Sequence, residues 1–171
     1  MPVYSGCSLF MNGIEITDPV SYTPPEIRIT KKSFKTGAMN APVPVDDGTE
    51  LMSARYKCAG ADPLAFLMFG VVPGVKARMM VRRTFRGRGQ LAGVTMLEEE
   101  VEGFVESIQP DEGGANGRAD VGQVVTVAAT YYRISANGIY PLLEINPVLG
   151  LRKIAGVNVL AIPGNFLSLI L

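Results

Sequence analysis

Apolar and polar positions alternate along much of this chain, the period-two signature of strands with one buried face. In Glu50–Cys58, Met52, Ala54, Tyr56 and Cys58 share one parity, and Ser53, Arg55 and Lys57 the other. Residues 26–34 alternate as well, with Ile27, Ile29 and Lys31 set against Arg28, Thr30 and Lys32. Gln123–Ser135 is the strongest strand, carrying Val124, Val125, Val127, Tyr131, Tyr132 and Ile134. Asn12-Gly13 within Cys7–Thr17 and Asn137-Gly138 before Ile139–Ile145 are two-residue hairpin signals, because both central positions favour positive φ. Asn146-Pro147 ends the second of these hairpins. Residues 18–25 hold Pro19, Pro24 and Pro25 and read as a connection. Val148–Leu171 has no clear period.

One helix is predicted, over about residues 62–70. Asp62 suits the cap, Pro63 the first helical position and Gly70 the end. Leu64, Phe66, Leu67, Met68 and Phe69 make it apolar almost all round. About two turns of helix are not stable alone, so it must pack on a sheet or on a sheet plus a neighbouring subunit.

Residues 34–48 fit neither pattern. Pro42 and Pro44 lack an N–H and push Ala41 and Val43 toward extended conformations. Gly37 and Gly48 bracket the stretch. The expectation is a long, semi-extended loop carrying Met39, Val43 and Val45. Loops of this length are functional or disordered more often than not. The alternatives are a plain hairpin connection and an arm that docks outside the domain.

Charge adds a register. Lys76, Arg78, Arg82, Arg83, Arg86 and Arg88 precede a Gly-rich turn at 87–93, and Glu98, Glu99, Glu100, Glu102, Glu106, Asp111 and Glu112 follow it. A turn centred on Gln90 places Arg82 opposite Glu98 and Arg78 opposite Glu102. Met79, Val81 and Phe85 then share the other face with Leu97, Val101 and Val105. One face is predicted apolar and the other a ladder of opposite charges, each pair worth about 0.2–1 kcal/mol. The acidic partner strand compensates Arg82–Gly89 and argues against an RNA-binding tract. Residues 109–122 read as a loop.

The bulk numbers narrow the classes. The 171 residues suit one domain, 1–171, and 47% hydrophobic with 19% charged content is globular. Sixteen basic and sixteen acidic side chains cancel, against the excess of a dedicated nucleic-acid binder. There is no histidine, which removes the commonest base and metal ligand. Cys7 and Cys58 lack a metal or redox spacing and read as reduced and half-buried. Of Glu98, Glu99 and Glu100 only the alternate residues converge, because neighbours in a strand point to opposite faces, and pairing with the facing arginines is a simpler role for them than catalysis. No phosphate loop is present, and no cofactor or metal is expected. Met1–Gly6 lacks the basic start of a signal peptide. The apolar tail at 154–171 is broken by Asn158, Pro163, Gly164 and Asn165, so cover by protein is expected rather than a membrane.

Taken in order, these stretches resemble the major tail tube proteins of contractile-tailed bacteriophages, which are related to the tube proteins of R-type pyocins. Ser8–Gly13 is similar to the family's opening hairpin, and Phe34–Gly48 to its Ala-Met-Asn-Ala-Pro-Val loop. Thr130-Tyr131-Tyr132-Arg133-Ile134 with Asn137-Gly138 resembles a later hairpin. Glu144-Ile145-Asn146-Pro147-Val148 with Ile154-Ala155-Gly156-Val157-Asn158 resembles the ending. Ala161–Leu171 departs from the family, which often ends in a polar, charged segment.

The resemblance implies a mainly β fold, two antiparallel sheets packed as a sandwich or barrel with one short flanking helix. It implies a structural virion protein and no enzyme. Six copies would form a ring, and rings would stack into a tube that passes DNA into the host. The implied partners are further copies of itself, a tail sheath, a tape measure protein and baseplate or tail terminator proteins, with no membrane. The implied place is the phage tail, assembled in the host cytoplasm. Lys35, Met39, Asn40, Pro42, Val43, Pro44, Asp46 and Asp47 are the expected inter-ring contacts. Arg78, Arg82, Arg86, Glu98, Glu100 and Glu102 form the ladder of a ring-forming hairpin, 78–106, facing either the lumen or a neighbour. Leu64, Phe66, Leu67 and Phe69 of the helix, with Phe166 and Leu169 of the tail, are the expected subunit-packing residues. The alternatives are a tube of a pyocin or type VI secretion-like particle and a monomeric β-barrel binding protein.

Overall fold

The alternating stretches form strands. The computed structural model describes residues 3–16, 19–69, 76–87, 94–113 and 121–160. In order these are β1 (Val3–Met11), β2 (Ile14–Glu15), β3 (Pro19–Thr23), β4 (Ile29–Phe34), β5 (Val43–Thr49), β6 (Met52–Ala59) and α1 (Pro63–Met68). They continue as β7 (Ala77–Arg86), β8 (Val94–Pro110), β9 (Gly122–Ala136), β10 (Tyr140–Asn146), a 3-10 turn (Pro147–Leu149), β11 (Leu151–Ile154) and β12 (Val157–Asn158). Every described strand pairing is antiparallel. No helix among the described residues is long and apolar enough to cross a membrane.

Ten strands make one branched sheet and two make a separate ribbon. The path runs β12-β11-β10-β9-β8-β7-β1-β2. The branch lies on β9. Its first half, Gly122–Ala129, pairs β6, its second half pairs β10, and β8 lies along its other edge. β3 pairs β6 and completes a second wall. Side chains of both walls meet in one core, with Leu9, Met11, Tyr56, Met79, Val81, Val101, Val127 and Tyr132 buried. Full burial of a side chain of this size contributes about 1.5–3 kcal/mol.

Two bulges let long strands keep the core. Glu102 faces Tyr131 while Gly103 faces Ala129, so Thr130 is an extra residue. An extra residue switches faces, which is why Val125, Val127 and Ala129 point inward and so does Tyr132. Glu106 is the corresponding extra residue of β8, between Val105 and Ser107. At the first bulge the backbones close up. A Cβ on Gly103 would lie 1.8 Å from the Ala128 carbonyl oxygen, so only glycine fits.

The helix starts as expected. The Asp62 carboxylate accepts from the Leu64 N–H at 3.0 Å and from the Tyr56 hydroxyl at 2.8 Å, so the cap is also a tertiary anchor. Asn12 and Gly13 take φ of 49° and 84° in the first hairpin, as their types predict. The 78–106 register matches the expectation, with Arg82 opposite Glu98 and Arg78 opposite Glu102.

Several expectations are corrected. Residues 18–25 are not merely a connection, because Pro19–Thr23 is an edge strand on β6, where a proline at the first position costs no ladder bond. Residues 34–48 are not all loop, because Val43–Thr49 pairs β4. In a two-stranded ribbon the outer edges are open, so Pro44 needs no N–H partner. Asn137-Gly138 sits in a three-residue loop, since Ala136 pairs with Tyr140. Gln109 and Pro110 belong to β8 and Gly122 to β9, which shortens the 109–122 loop. Residues 147–158 hold a 3-10 turn and a hairpin closed by Ala155-Gly156, both at positive φ. Cys58 is buried rather than half-buried. Gly70 and most of the 87–93 turn lie outside the described residues.

Candidate assembly surfaces

The ribbon of β4 and β5 projects its own two faces. Phe34 pairs with Val43 and Lys32 with Val45, so Phe34, Val43 and Val45 share one side. Ser33, Pro44, Lys31 and Asp46 share the other. Phe34 is 52% exposed, and Val43 and Val45 are each 47% exposed. Lys35, Met39, Asn40 and Pro42 lie in the connecting turn and are exposed, as is Asp47 on β5. Asp46 has a different role, because its carboxylate pairs with Arg152 of β11. It also accepts from the Gly48 N–H at 2.9 Å. The Arg152 hydrogen bond, then the Gly48 amide, hold the Asp46 carboxyl below its ordinary value. The ribbon is thus fastened at its base and open along its length.

The charged ladder is one part of a wider face. A transverse row runs Glu15, Phe10, Met80, Glu100, Arg133, Glu144, Lys153, Asn158 across eight strands. Charge alternates along it from β8 to β11. Arg82 bonds Glu98 at 2.9 Å, Arg78 pairs with Glu100 and lies 3.9 Å from Glu102, and Lys153 reaches Glu144 at 3.2 Å. Arg78, Arg82, Arg86, Arg133 and Lys153 balance Glu15, Glu98, Glu100, Glu102 and Glu144 on this face. Arg86 faces Val94 and makes none of the ion pairs among the described residues. A neutral face of paired charges binds no ion or phosphate strongly, since its field is compensated.

Directly beneath lies a charged group on the core side of the same strand. Glu99 shares the core face with Val101 and is 0% exposed, so that face is not wholly apolar as expected. It pairs with Arg83 and accepts from the hydroxyls of Tyr22 at 2.9 Å and Tyr132 at 3.0 Å. Burial, then the Glu99 charge, push both tyrosines above their ordinary range, so they stay neutral donors. A buried carboxylate is tolerated only with this number of partners. The signal was available, since Glu99 has the parity of Leu97 and Val101 and Arg83 that of Val81.

The helix divides its apolar residues. Ala65 is buried, Leu64 and Met68 are partly covered, and Phe66, Leu67 and Phe69 are exposed, Leu67 at 68%. Phe104 of β8 and Leu142, Ile154 and Val157 at the β10–β12 end are also exposed, and sequence reasoning missed them. Phe166 and Leu169 lie outside the described residues. No metal-binding group of histidine, cysteine or carboxylate side chains occurs among the described residues.

Comparison with known proteins places this arrangement. The family model described as phage tail tube protein FII matches residues 4–162. No curated protein matches the sequence. Solved structures share the fold at low identity. One is from the sheath/tube terminator of an extracellular contractile injection system, PVC, in its extended state (TM-score 0.57, 10% identity, 75% of this chain and 92% of that chain). A second is from the extended sheath–tube complex of that system (0.57, 13%, 76% and 88%). A third is from the tube-terminating cap of the anti-feeding prophage (0.57, 11%, 75% and 87%).

Proposed function

The chain belongs to the phage tail tube protein FII family, and from that premise we propose how its surfaces build the tube. Its role is that of a structural tail tube protein. Six copies close head to tail into a ring, and rings stack into a tube within a contractile tail. Head-to-tail contacts give closed rings when the rotation closes. The sheet around β7–β11 forms the ring wall, with the charge-compensated face of Arg78, Arg82, Glu98, Glu100 and Glu102 toward the lumen. A lumen without excess positive charge lets DNA pass without gripping its phosphates. The exposed side of α1, with Phe66, Leu67 and Phe69, packs on a neighbouring copy.

The ribbon reaches the next ring through Phe34, Val43, Val45 and the turn holding Lys35, Met39, Asn40 and Pro42. The observation that carries this reading is the contrast between a finished core and an arm whose apolar side lies open. Sheath, tape measure and terminator or baseplate proteins meet the tube in the tail, and assembly takes place in the host cytoplasm. The chain has no catalytic duty.

The test is deletion of Ala38–Val45. The subunit should melt within a few degrees of the parent, since the removed residues lie outside the core. Tube growth should stop while single rings persist in negative-stain micrographs. Tubes of normal length from the deletion would refute the inter-ring role of the arm.

A further inference from the structure

We propose that the exposed side of α1 of one copy seats on Ile154 and Val157 of the adjacent copy in the ring, on the core side of its β11–β12 hairpin. The inference rests on the ring reading given above and names the surface that receives the helix. One cross-strand row runs from Leu9 and Val81 through Leu143 to Ile154 and Val157. Directly opposed residues share a face, so all of these lie on the core side of the sheet. Leu9 and Val81 are fully buried and Leu143 packs against the core, whereas Ile154 is 51% and Val157 59% exposed. Arg152, two residues before Ile154 on the same side, is covered by its contact with Asp46 of the ribbon. The apolar row therefore runs on beyond the cover that its own subunit supplies.

The helix stands at the other end of the same sheet and on the same side. Ala65 is buried in the core cluster, Met68 packs against it, and Leu64 lines a small space with Glu15 and Ile16 beside β2. The Ile16 N–H donates to the Leu9 carbonyl at 2.9 Å, so α1 begins at the level of the row that ends on Val157. Its open side offers Phe66, Leu67 and Phe69, and Pro63–Met68 holds no charge. It cannot reach its own β11–β12 hairpin. Asp62 and Tyr56 anchor its start, and Phe69 bridges Val105 at its end. The β2 and β12 strands are the two ends of the path, seven spacings apart, which at ~4.8 Å each is roughly 34 Å.

The edges give the contact its direction. Among the described residues β2 pairs only with β1 and β12 only with β11, and open edges are paired or covered in stable assemblies. Where β12 of one copy meets β2 of the next, α1 of the second lies beneath the overhanging Ile154 and Val157 of the first. Charge agrees with this order. In the outer row the outermost charged residues are Glu15 at the β2 end and Lys153 at the β11–β12 end. Joining unlike edges brings opposite signs together, and joining like edges would oppose equal ones.

The experiment places a p-benzoyl-phenylalanine photo-cross-linker at the exposed Leu67 in the full chain. Light and nitrogen-15-labelled subunits are mixed before assembly and irradiated, and links are assigned to residues by tandem mass spectrometry. The result expected is a link within Ile154–Val157, with light–heavy pairs prominent. Rings that form with links elsewhere, the ribbon and residues 161–171 included, overturn the seat while leaving the ring intact. Links within Ile154–Val157 confined to light–light and heavy–heavy pairs overturn it as well. A protein that stays monomeric overturns the ring reading and this inference together. Val157→Glu should raise the concentration needed for ring formation about tenfold, the effect of roughly 1.4 kcal/mol. Adding Leu67→Lys to that variant should recover most of the loss through the new ion pair. An unchanged threshold in Val157→Glu, or no recovery in the double variant, would also overturn the seat.

Discussion

In β6, Met52, Ala54, Tyr56 and Cys58 point down into a second layer of side chains. In the ribbon, Phe34, Val43 and Val45 line up just as regularly and remain about half exposed. Both segments follow the same alternation rule, so the rule does not account for the difference. What differs is the presence of a partner layer. A two-stranded hairpin is marginal in water, and this one is held at its base by Asp46 and Arg152 rather than by a core. A chain that completes one sheet and leaves another open is what the proposed contacts of the ribbon with other copies would require.

Substitutions sharpen that comparison because they should act on one region and spare the other. Glu99→Gln should have the largest effect on the subunit itself. It leaves Arg83 paired with a neutral group inside the core, at a cost of about 3 kcal/mol, the low end for a broken buried pair because Arg83 keeps some solvent access. Urea unfolding measures it. Gly103→Ala should follow, at about 1–3 kcal/mol, since the new methyl meets the Ala128 carbonyl and the bulge must open.

Acid should loosen the ribbon next. Arg152 depresses the folded-state value of Asp46, so the stabilisation is present above the ordinary carboxylate range. It is lost as the pH falls through the depressed value. Amide exchange in β4 and β5 should therefore quicken severalfold between pH about 6 and about 3 relative to β6. In Asp46→Asn it should already be fast at neutral pH. The smallest effect on the subunit belongs to Phe34→Ser with Val43→Ser, within about 0.5 kcal/mol in the same unfolding assay. That pair should nevertheless stop ring stacking, and a variant that unfolds early instead would place the ribbon's apolar side in the core.

Much of the sheet could be read from the residues. The β7–β8 register came from matching basic to acidic positions, and the helix start from Asp62-Pro63. The failures have physical causes. The extra residues Thr130 and Glu106 break the period of two, so inward and outward assignments shift along β8 and β9. Ala155 adopts φ of 49°, a conformation that alanine rarely takes, so the β11–β12 turn had no Asn-Gly signal. The prolines of 18–25 and 34–48 suggested connections, but both stretches are edges, where a missing N–H is harmless. Glu99 was grouped with its charged neighbours, although its parity pointed inward. The candidate surfaces were half legible. Arg78, Arg82, Glu98, Glu100 and Glu102 do lie together on one face, but Arg86 faces Val94, Leu64 is partly covered on the helix, and Asp46 is tied to Arg152 rather than free on the arm.

On the proposed reading this subunit is finished only by copies of itself. Negative-stain electron microscopy of the purified chain over a range of concentrations tests it most directly. Rings with a central hole, joining into tubes as concentration rises, are expected. Uniform small monomeric particles at every concentration, confirmed by native mass spectrometry, would contradict it.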